Sequence, residues 1–147
     1  MSLGAEAAIN YRTEDFAARV RDLTQGRGVD VVLDIVGGPY VARNLLCLAP
    51  RGRLVMIAFM GGAVADSLDF RRLLIRHLTI TGSTLRPRTV DEKGRLADEL
   101  AARVWPVLDA GRCGPRIDRT YPLADAAAAH ARMEASTHIG KLVLEVG

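Results

Sequence analysis

Glycines that close apolar β-type runs are the residues of this chain best placed to do chemistry, because ligands in parallel α/β sheets sit just beyond the carboxyl ends of the strands. The run "VDVVLDIVGG", Val29 to Gly38, is the clearest case, and "RLVMIAFMGG", Arg53 to Gly62, repeats the pattern. A complete dinucleotide grip also needs G-x-G-x-x-G at a strand-to-helix turn, so that backbone can close on a pyrophosphate at a helix N-terminus. None is present: Gly26-Arg27-Gly28 lacks the third glycine and precedes a strand, and Gly140-Lys141 lacks both the upstream loop and the following Ser or Thr of a P-loop. The other reactive side chains form no catalytic set. His77, His130 and His138 have no mutual metal-ligand spacing, and His130, in an Ala-rich helix, reads as a packing or surface residue. Asp30 and Asp34 lie on one strand and share a face only by parity, which does not make an acid/base pair. Asp34 reads instead as the anchor of the Gly37-Gly38 turn. Ser83 and Thr84 end a strand with no base beside them in sequence. Cys47 and Cys113 are too few and too far apart for a zinc site. The residues alone therefore give glycine-marked strand ends, no catalytic residue and no metal site.

The elements that must position those ends follow from periodicity. "AEAAINY" reads as a short strand ending in a polar turn, and "TEDFAARVRDLT" as a helix with Phe16, Val20 and Leu23 on one face, Thr13 as N-cap and two acids in the first turn. Val29 to Val36 is a β-branched run without polar alternation, expected of a strand covered on both faces. Gly37-Gly38-Pro39 opens the next helix, with proline where its missing N–H costs nothing. "RGRLVMIAF" is a second buried strand, a short helix spans Asp69 to Arg76, and "LTITGSTL" is a third strand whose Gly82 suggests a bulge or close approach. A longer helix, Thr89 to Ala110, carries Leu96, Leu100, Val104 and Leu108, with Pro106 kinking it and Gly111 ending it. A strand "IDRTY", a helix from Asp125 to Ala135 and a last strand "KLVLEV" complete the chain. Strands alternating with helices of this length give a parallel sheet with helices on both faces, an α/β architecture.

Composition narrows the function classes. The 147 residues suit one domain and one core, and 49 % apolar with 25 % charged residues is the balance of an ordinary globular chain. A net charge of +3 comes from 20 basic residues spread among 17 acidic ones, with no dense basic stripe, so nucleic-acid binding is not expected. No apolar run approaches the ~18 residues of a membrane span, and two isolated thiols suit a cytoplasmic protein. Met1 to Leu3 reads as a cloning leader.

The ordered segments "GAEAAINYRTEDF", "GVDVVLDIVGG", "RGRLVMIAFMGG", "LTITGSTLRPR", "YPLADAAAAHARMEA" and "HIGKLVLEV" resemble the C-terminal half of the zinc-independent quinone oxidoreductases of the medium-chain dehydrogenase/reductase superfamily. The resemblance covers nearly the whole chain. It implies a partial Rossmann domain, doubly wound in the order 3-2-1-4-5-6, entered at its third strand, plus a C-terminal segment that returns to a catalytic domain. The catalytic barrel, the first two strands and their glycine-rich loop would belong to a part not included here. The cofactor implied is NADPH, with no zinc. Tyr11 matches the family's tyrosine beside the adenosine 2′-phosphate; Val36 and Gly37 match the strand end beside the cofactor. Ile57, Ala58, Phe59 and Met60 match the loop along ribose and nicotinamide, and Ser83, Thr84 and Leu85 the segment near the carboxamide. Ser136 falls where some relatives carry an arginine for the phosphate, a departure that leaves the choice between NADP and NAD open.

The implied activity is hydride transfer from NADPH to a quinone or conjugated carbonyl in the intact enzyme, the chain by itself being inactive. A stand-alone nucleotide- or ligand-binding module and a dimerisation or interaction domain are the competing readings. With the intervening strands removed, the strand at Ala7 to Asn10 is expected to pack beside Val31 to Val36 or to exchange between chains. A homodimer continuing the sheet through Leu78 to Gly82 is expected as well.

Overall fold

The computed structural model describes residues 4–147; the leader reading of Met1 to Leu3 lies outside the described residues. Two compact units divide the chain, one running to Thr89 and the other Val90–Gly147.

In the first unit the order is α1 (Phe16–Leu23), β1 (Val29–Asp34), α2 (Gly38–Cys47), β2 (Leu48–Met56), α3 (Arg71–Ile75) and β3 (Thr79–Gly82). The three strands form one parallel sheet in the order β1-β2-β3. Register pairs Leu33 with Val55 and Asp34 with Met56, then Leu54 with Ile80 and Met56 with Gly82. All three strands therefore end level, which brings the loops after them to one edge of the sheet.

The core lies where α2 and the segment around α3 pack on this sheet: Val41, Leu45, Leu48, Leu54 and Leu78 are buried together, with Val32, Met56, Leu73 and Ile80 packed against them. Leu45, Leu48 and Leu54 are the largest fully buried side chains, each adding on the order of 1.5–3 kcal/mol of transfer free energy.

The expected helices and parallel strands alternate as read, with five local corrections in this unit. Ala7 to Asn10 forms no strand and does not pair with β1. Instead the carbonyl of Asn10 accepts from Thr13 N and Glu14 N at 3.0 and 2.9 Å, closing a turn. With Thr13 committed to that turn, the helix cap falls to Asp15, whose carboxylate accepts from the amides of Ala17 and Ala18. β1 is covered on one face rather than both: Val31 and Leu33, two apart and so on one face of the sheet, are exposed, Leu33 at 64 %. Gly82 marks neither a bulge nor a close approach, because a Cβ there would meet only Met56 O, at 3.9 Å. The register is irregular instead where it jumps from Val29–Leu48 to Val31–Arg53, and β2 begins at Leu48, ahead of the "RGRLVMIAF" run expected to form it, so that Gly52 lies within the strand.

In the second unit the single kinked helix expected from Thr89 to Ala110 is two helices, α4 (Val90–Arg103) and α5 (Trp105–Asp109), separated at Val104. Pro106 cannot donate to the preceding turn and lies in the first turn of α5. Their apolar stripe, Leu96, Leu100, Val104 and Leu108, is exposed. β4 (Ile117–Pro122), a single 3-10 turn (Leu123–Asp125), α6 (Ala126–Glu134) and β5 (Lys141–Glu145) follow, with β4 and β5 pairing as a separate two-stranded parallel sheet. The ion pair between Arg132 and Asp118, at 2.7 Å, ties α6 to β4.

Candidate functional site

Side-chain capping of one turn builds the site. Asp34, the last residue of β1, is buried, and its carboxylate accepts from Val36 N at 2.7 Å and from Gly37 N at 3.2 Å. The chain is thereby turned sharply into α2. Gly37 has φ +92°, and a Cβ on it would lie 2.5 Å from Gly62 O and 2.8 Å from the Phe59 ring. At Gly38 a Cβ would lie 1.9 Å from Val64 O. Gly37 is thus required by both backbone and space, and Gly38 by space alone.

The loop after β2 is laced onto this turn through its backbone. Ile57 N donates to Asp34 O at 2.9 Å, Met60 N to Ile35 O at 3.0 Å, Gly61 N to Val36 O at 2.8 Å, and Gly38 N to Gly62 O at 2.8 Å. Ser83 N, just past β3, donates to Met56 O at 2.9 Å. Of the residues singled out from the sequence, these bonds bring together Val36, Gly37, Ile57, Ala58, Phe59, Met60 and Ser83. Thr84 and Leu85 continue the chain directly from Ser83. Ile57, Phe59, Met60 and Leu85 keep their apolar side chains exposed, Met60 at 80 %. The carboxyl edge of the sheet is thus an apolar ledge on a rigid backbone frame.

Tyr11 lines a crevice of about 250 Å³ with Val36, Ile9, Phe16, Tyr40 and Asn44. Its ring meets Tyr40 edge-on at 6.4 Å, and Tyr40 stacks on Phe16 at 5.3 Å and 3°. Arg43 lies 4.2 Å over the Phe16 ring and pairs with Asp15 at 2.8 Å. That hydrogen bond, with the Ala17 and Ala18 amides, holds the Asp15 carboxyl below the usual carboxylate range. Phe16, Tyr40 and Asn44 were not among the candidates. Tyr40 and Asn44 sit one helical turn apart on α2, and that spacing was the available signal. Ser136 belongs to the second unit, in the turn after α6 at φ +51°, with its amide on Met133 O.

Neither helix N-terminus beside the crevice is open to a phosphate. Asp15 occupies that of α1. At α2, Gly38 N is bonded to Gly62 O and the Asp34 carboxylate lies under the turn. Among the described residues no group of three or more His, Cys, Asp or Glu side chains could hold a metal ion, and no helix is long and apolar enough to cross a membrane.

Level parallel strands with an apolar carboxyl edge define the chain as an α/β domain of the Rossmann-like NAD(P)-binding type. More narrowly, it belongs to the zinc-binding dehydrogenase family, whose model matches residues 3–144. It is 35 % identical over 147 residues to 2-haloacrylate reductase of a Burkholderia species, covering 97 % of this chain and 42 % of that protein. A crystal structure of a 2-haloacrylate reductase superposes with TM-score 0.77 at 36 % identity, over 97 % of this chain and 44 % of that one. A mycobacterial quinone oxidoreductase gives TM-score 0.74 at 32 % identity, over 97 % and 44 %. Phthioceranic/hydroxyphthioceranic acid synthase of Mycobacterium tuberculosis is 35 % identical across 99 % of this chain, which spans 7 % of that protein. The chain therefore spans about two-fifths of the reductases it resembles, and relatives of this family are oxidoreductases.

Proposed function

We propose that this chain forms the carboxyl-edge wall of an NADPH cleft in an oxidoreductase that delivers hydride to a quinone or another conjugated carbonyl. One observation carries the reading: three parallel strands end level, and the loops after them are fixed to one another by backbone bonds that leave Ile57, Phe59, Met60 and Leu85 facing outward. An exposed apolar ledge on a rigid frame suits the flat face of a nicotinamide and the exclusion of water from it. The cofactor, when bound, supplies the hydride. The residues of this chain orient it: Phe59, Met60 and Leu85 along the ring, Ser83 and Thr84 through backbone toward the carboxamide, Val36 and Gly37 beside the ribose, and Tyr11 toward the adenosine phosphate.

The fit is partial. The ledge suits the nicotinamide half, while both helix N-termini near the crevice are already occupied and offer no pyrophosphate grip. The reading therefore assigns that grip, the catalytic barrel and turnover to a further segment of the protein, and it is zinc-independent and cytoplasmic. A homodimer through β3 belongs to the same proposal.

Two measurements test it. Titration of the chain with NADPH, followed by nicotinamide fluorescence, is expected to give a dissociation constant above about 100 μM, since the main anion contacts are missing. A fusion in which this chain replaces the matching segment of the Burkholderia 2-haloacrylate reductase is expected to oxidise NADPH with a quinone or an enone as acceptor. Submicromolar binding by the chain alone, or a folded fusion that binds NADPH no better than the chain, overturns the reading.

A further inference from the structure

At the opposite edge of the same sheet, where the strands begin, four arginines converge on one cavity of about 500 Å³. Gly28 immediately precedes β1 and Leu48 opens β2, and both line it, with Arg21 from α1, Arg27 from the following turn, Arg72 from α3 and Arg76 just past its end. The cavity shares no lining residue with the carboxyl-edge crevice.

Its charge is unbalanced. The only acid in the lining is Asp15, which is already bonded to Arg43 and to the first amides of α1. Arg27 is paired with Asp30 at 2.8 Å, both side chains being exposed, and Asp30 does not line the cavity. Arg21, Arg72 and Arg76 have no carboxylate within ion-pair distance among the described residues. Arg72 is held in place by two carbonyls at the end of α2, Leu45 O at 2.9 Å and Leu46 O at 3.1 Å. Burial and the like charge of Arg76 both push its pKa down. The Nε of Arg76 is buried and has no hydrogen-bond partner at all. Two neighbouring guanidinium groups without a counter-charge, one of them fixed by carbonyls, make a preformed receptor for a compact multivalent anion.

We propose that this cavity binds a phosphate group, either free or as the monoester of a small molecule. The oxyanion sits between Arg72 and Arg76 and accepts from guanidinium N–H groups that line the cavity, while Arg21 and Arg27 supply the outer contacts. The floor formed by Leu48 and the α1 alanines leaves room for a small organic substituent. This site does not depend on the nucleotide reading, since no residue of the ledge takes part in it.

The test is a ³¹P NMR titration of the full 147-residue chain with inorganic phosphate, and separately with glycerol phosphate, in phosphate-free buffer with chloride holding ionic strength constant. Saturable binding of at least one of the two is expected, and the tighter one identifies the source. Arg76→Gln should weaken it about tenfold or more, the loss of a charge-assisted contact. Arg53→Gln, on the exposed side of β2 and outside the cavity, should leave it unchanged. Far-UV circular dichroism checks that each variant is folded, and should Arg76→Gln fail that check, Arg21→Gln on the exposed face of α1 is expected to weaken binding in its place. A wild-type titration that does not saturate, or folded Arg76→Gln and Arg21→Gln variants that both bind as the wild type does, overturns the site.

Discussion

Between the end of β1 and the start of α2 the chain has no spare room, and single atoms decide the geometry there. A methyl group on Gly38 would overlap Val64 O at 1.9 Å, and that oxygen is backbone, so no side-chain rotation relieves it. Gly38→Ala is therefore expected to cost about 3 kcal/mol, the upper part of the usual range for overpacking, read from the midpoint of a urea denaturation curve at unchanged slope. Asp34 acts on the same turn by a different route. Its carboxylate is the acceptor for the amides of Val36 and Gly37, and Asp34→Ala would leave those donors without it. A loss of about 1–3 kcal/mol follows from the cost of unmade buried hydrogen bonds, whereas Asp34→Asn, which keeps one acceptor oxygen, is expected to retain part of it. Equal stability of the Ala variant and the wild type would show that the turn holds without its anchor. Asp34 as turn anchor was legible from its place before two glycines. The cluster of Phe16, Tyr40 and Arg43 was not, because its members come from two helices whose mutual packing no local pattern encodes.

At the scale of elements, the helix α1 shows both what periodicity encodes and what it leaves out. Phe16, Val20 and Leu23 announce a helix, but Thr13 and Asp15 are both good caps, and the choice between them was made by Asn10, whose carbonyl takes Thr13 into a turn. Asp15 then serves two partners, the α1 amides and Arg43, and its folded pKa is depressed. A carboxylate with a lowered folded pKa contributes stability that is present above its unfolded value of about 3.9 and is lost as pH falls through the folded value. Asp15→Asn keeps the cap acceptor and removes the charge seen by Arg43. Its melting temperature should lie below that of the wild type at pH 7, and the gap should narrow as pH falls below the unfolded value and the wild-type carboxyl takes up its proton. A constant gap across that range would mean that the Arg43 ion pair contributes nothing. The strands β1, β2 and β3 were readable because β-branched runs closed by glycine have few alternatives. The first expected strand failed for a physical reason: Ala7 to Asn10 carries a weak β signal, and a strand exists only as part of a ladder. Gly82 misled in the same way, since a glycine at the end of a short strand fits a simple termination as well as it fits a bulge.

For the molecule as a whole, the unmatched groups lie at the borders of the sheet. β1 and β3 are its two outer strands, so each carries a row of backbone groups that no strand among the described residues pairs with, and β1 has Val31 and Leu33 exposed. Such edges associate unless something covers them. β3 is short, flat in composition and flanked by Ser83, and pairing with its own copy across a two-fold axis would join two three-stranded sheets into one of six without displacing any core residue. β1 offers the longer edge, but two copies meeting there would crowd their exposed Leu33 side chains. Sedimentation velocity at about 10 μM is therefore expected to show a dimer. Hydrogen exchange compared at high and low protein concentration should show protection growing at Thr79 to Gly82 while the outward amides of β1 stay fast. A monomer throughout the range rules out the continued sheet; protection that grows at Val31 to Asp34 instead moves the contact to β1, the edge that the upstream strands of a longer chain would otherwise fill.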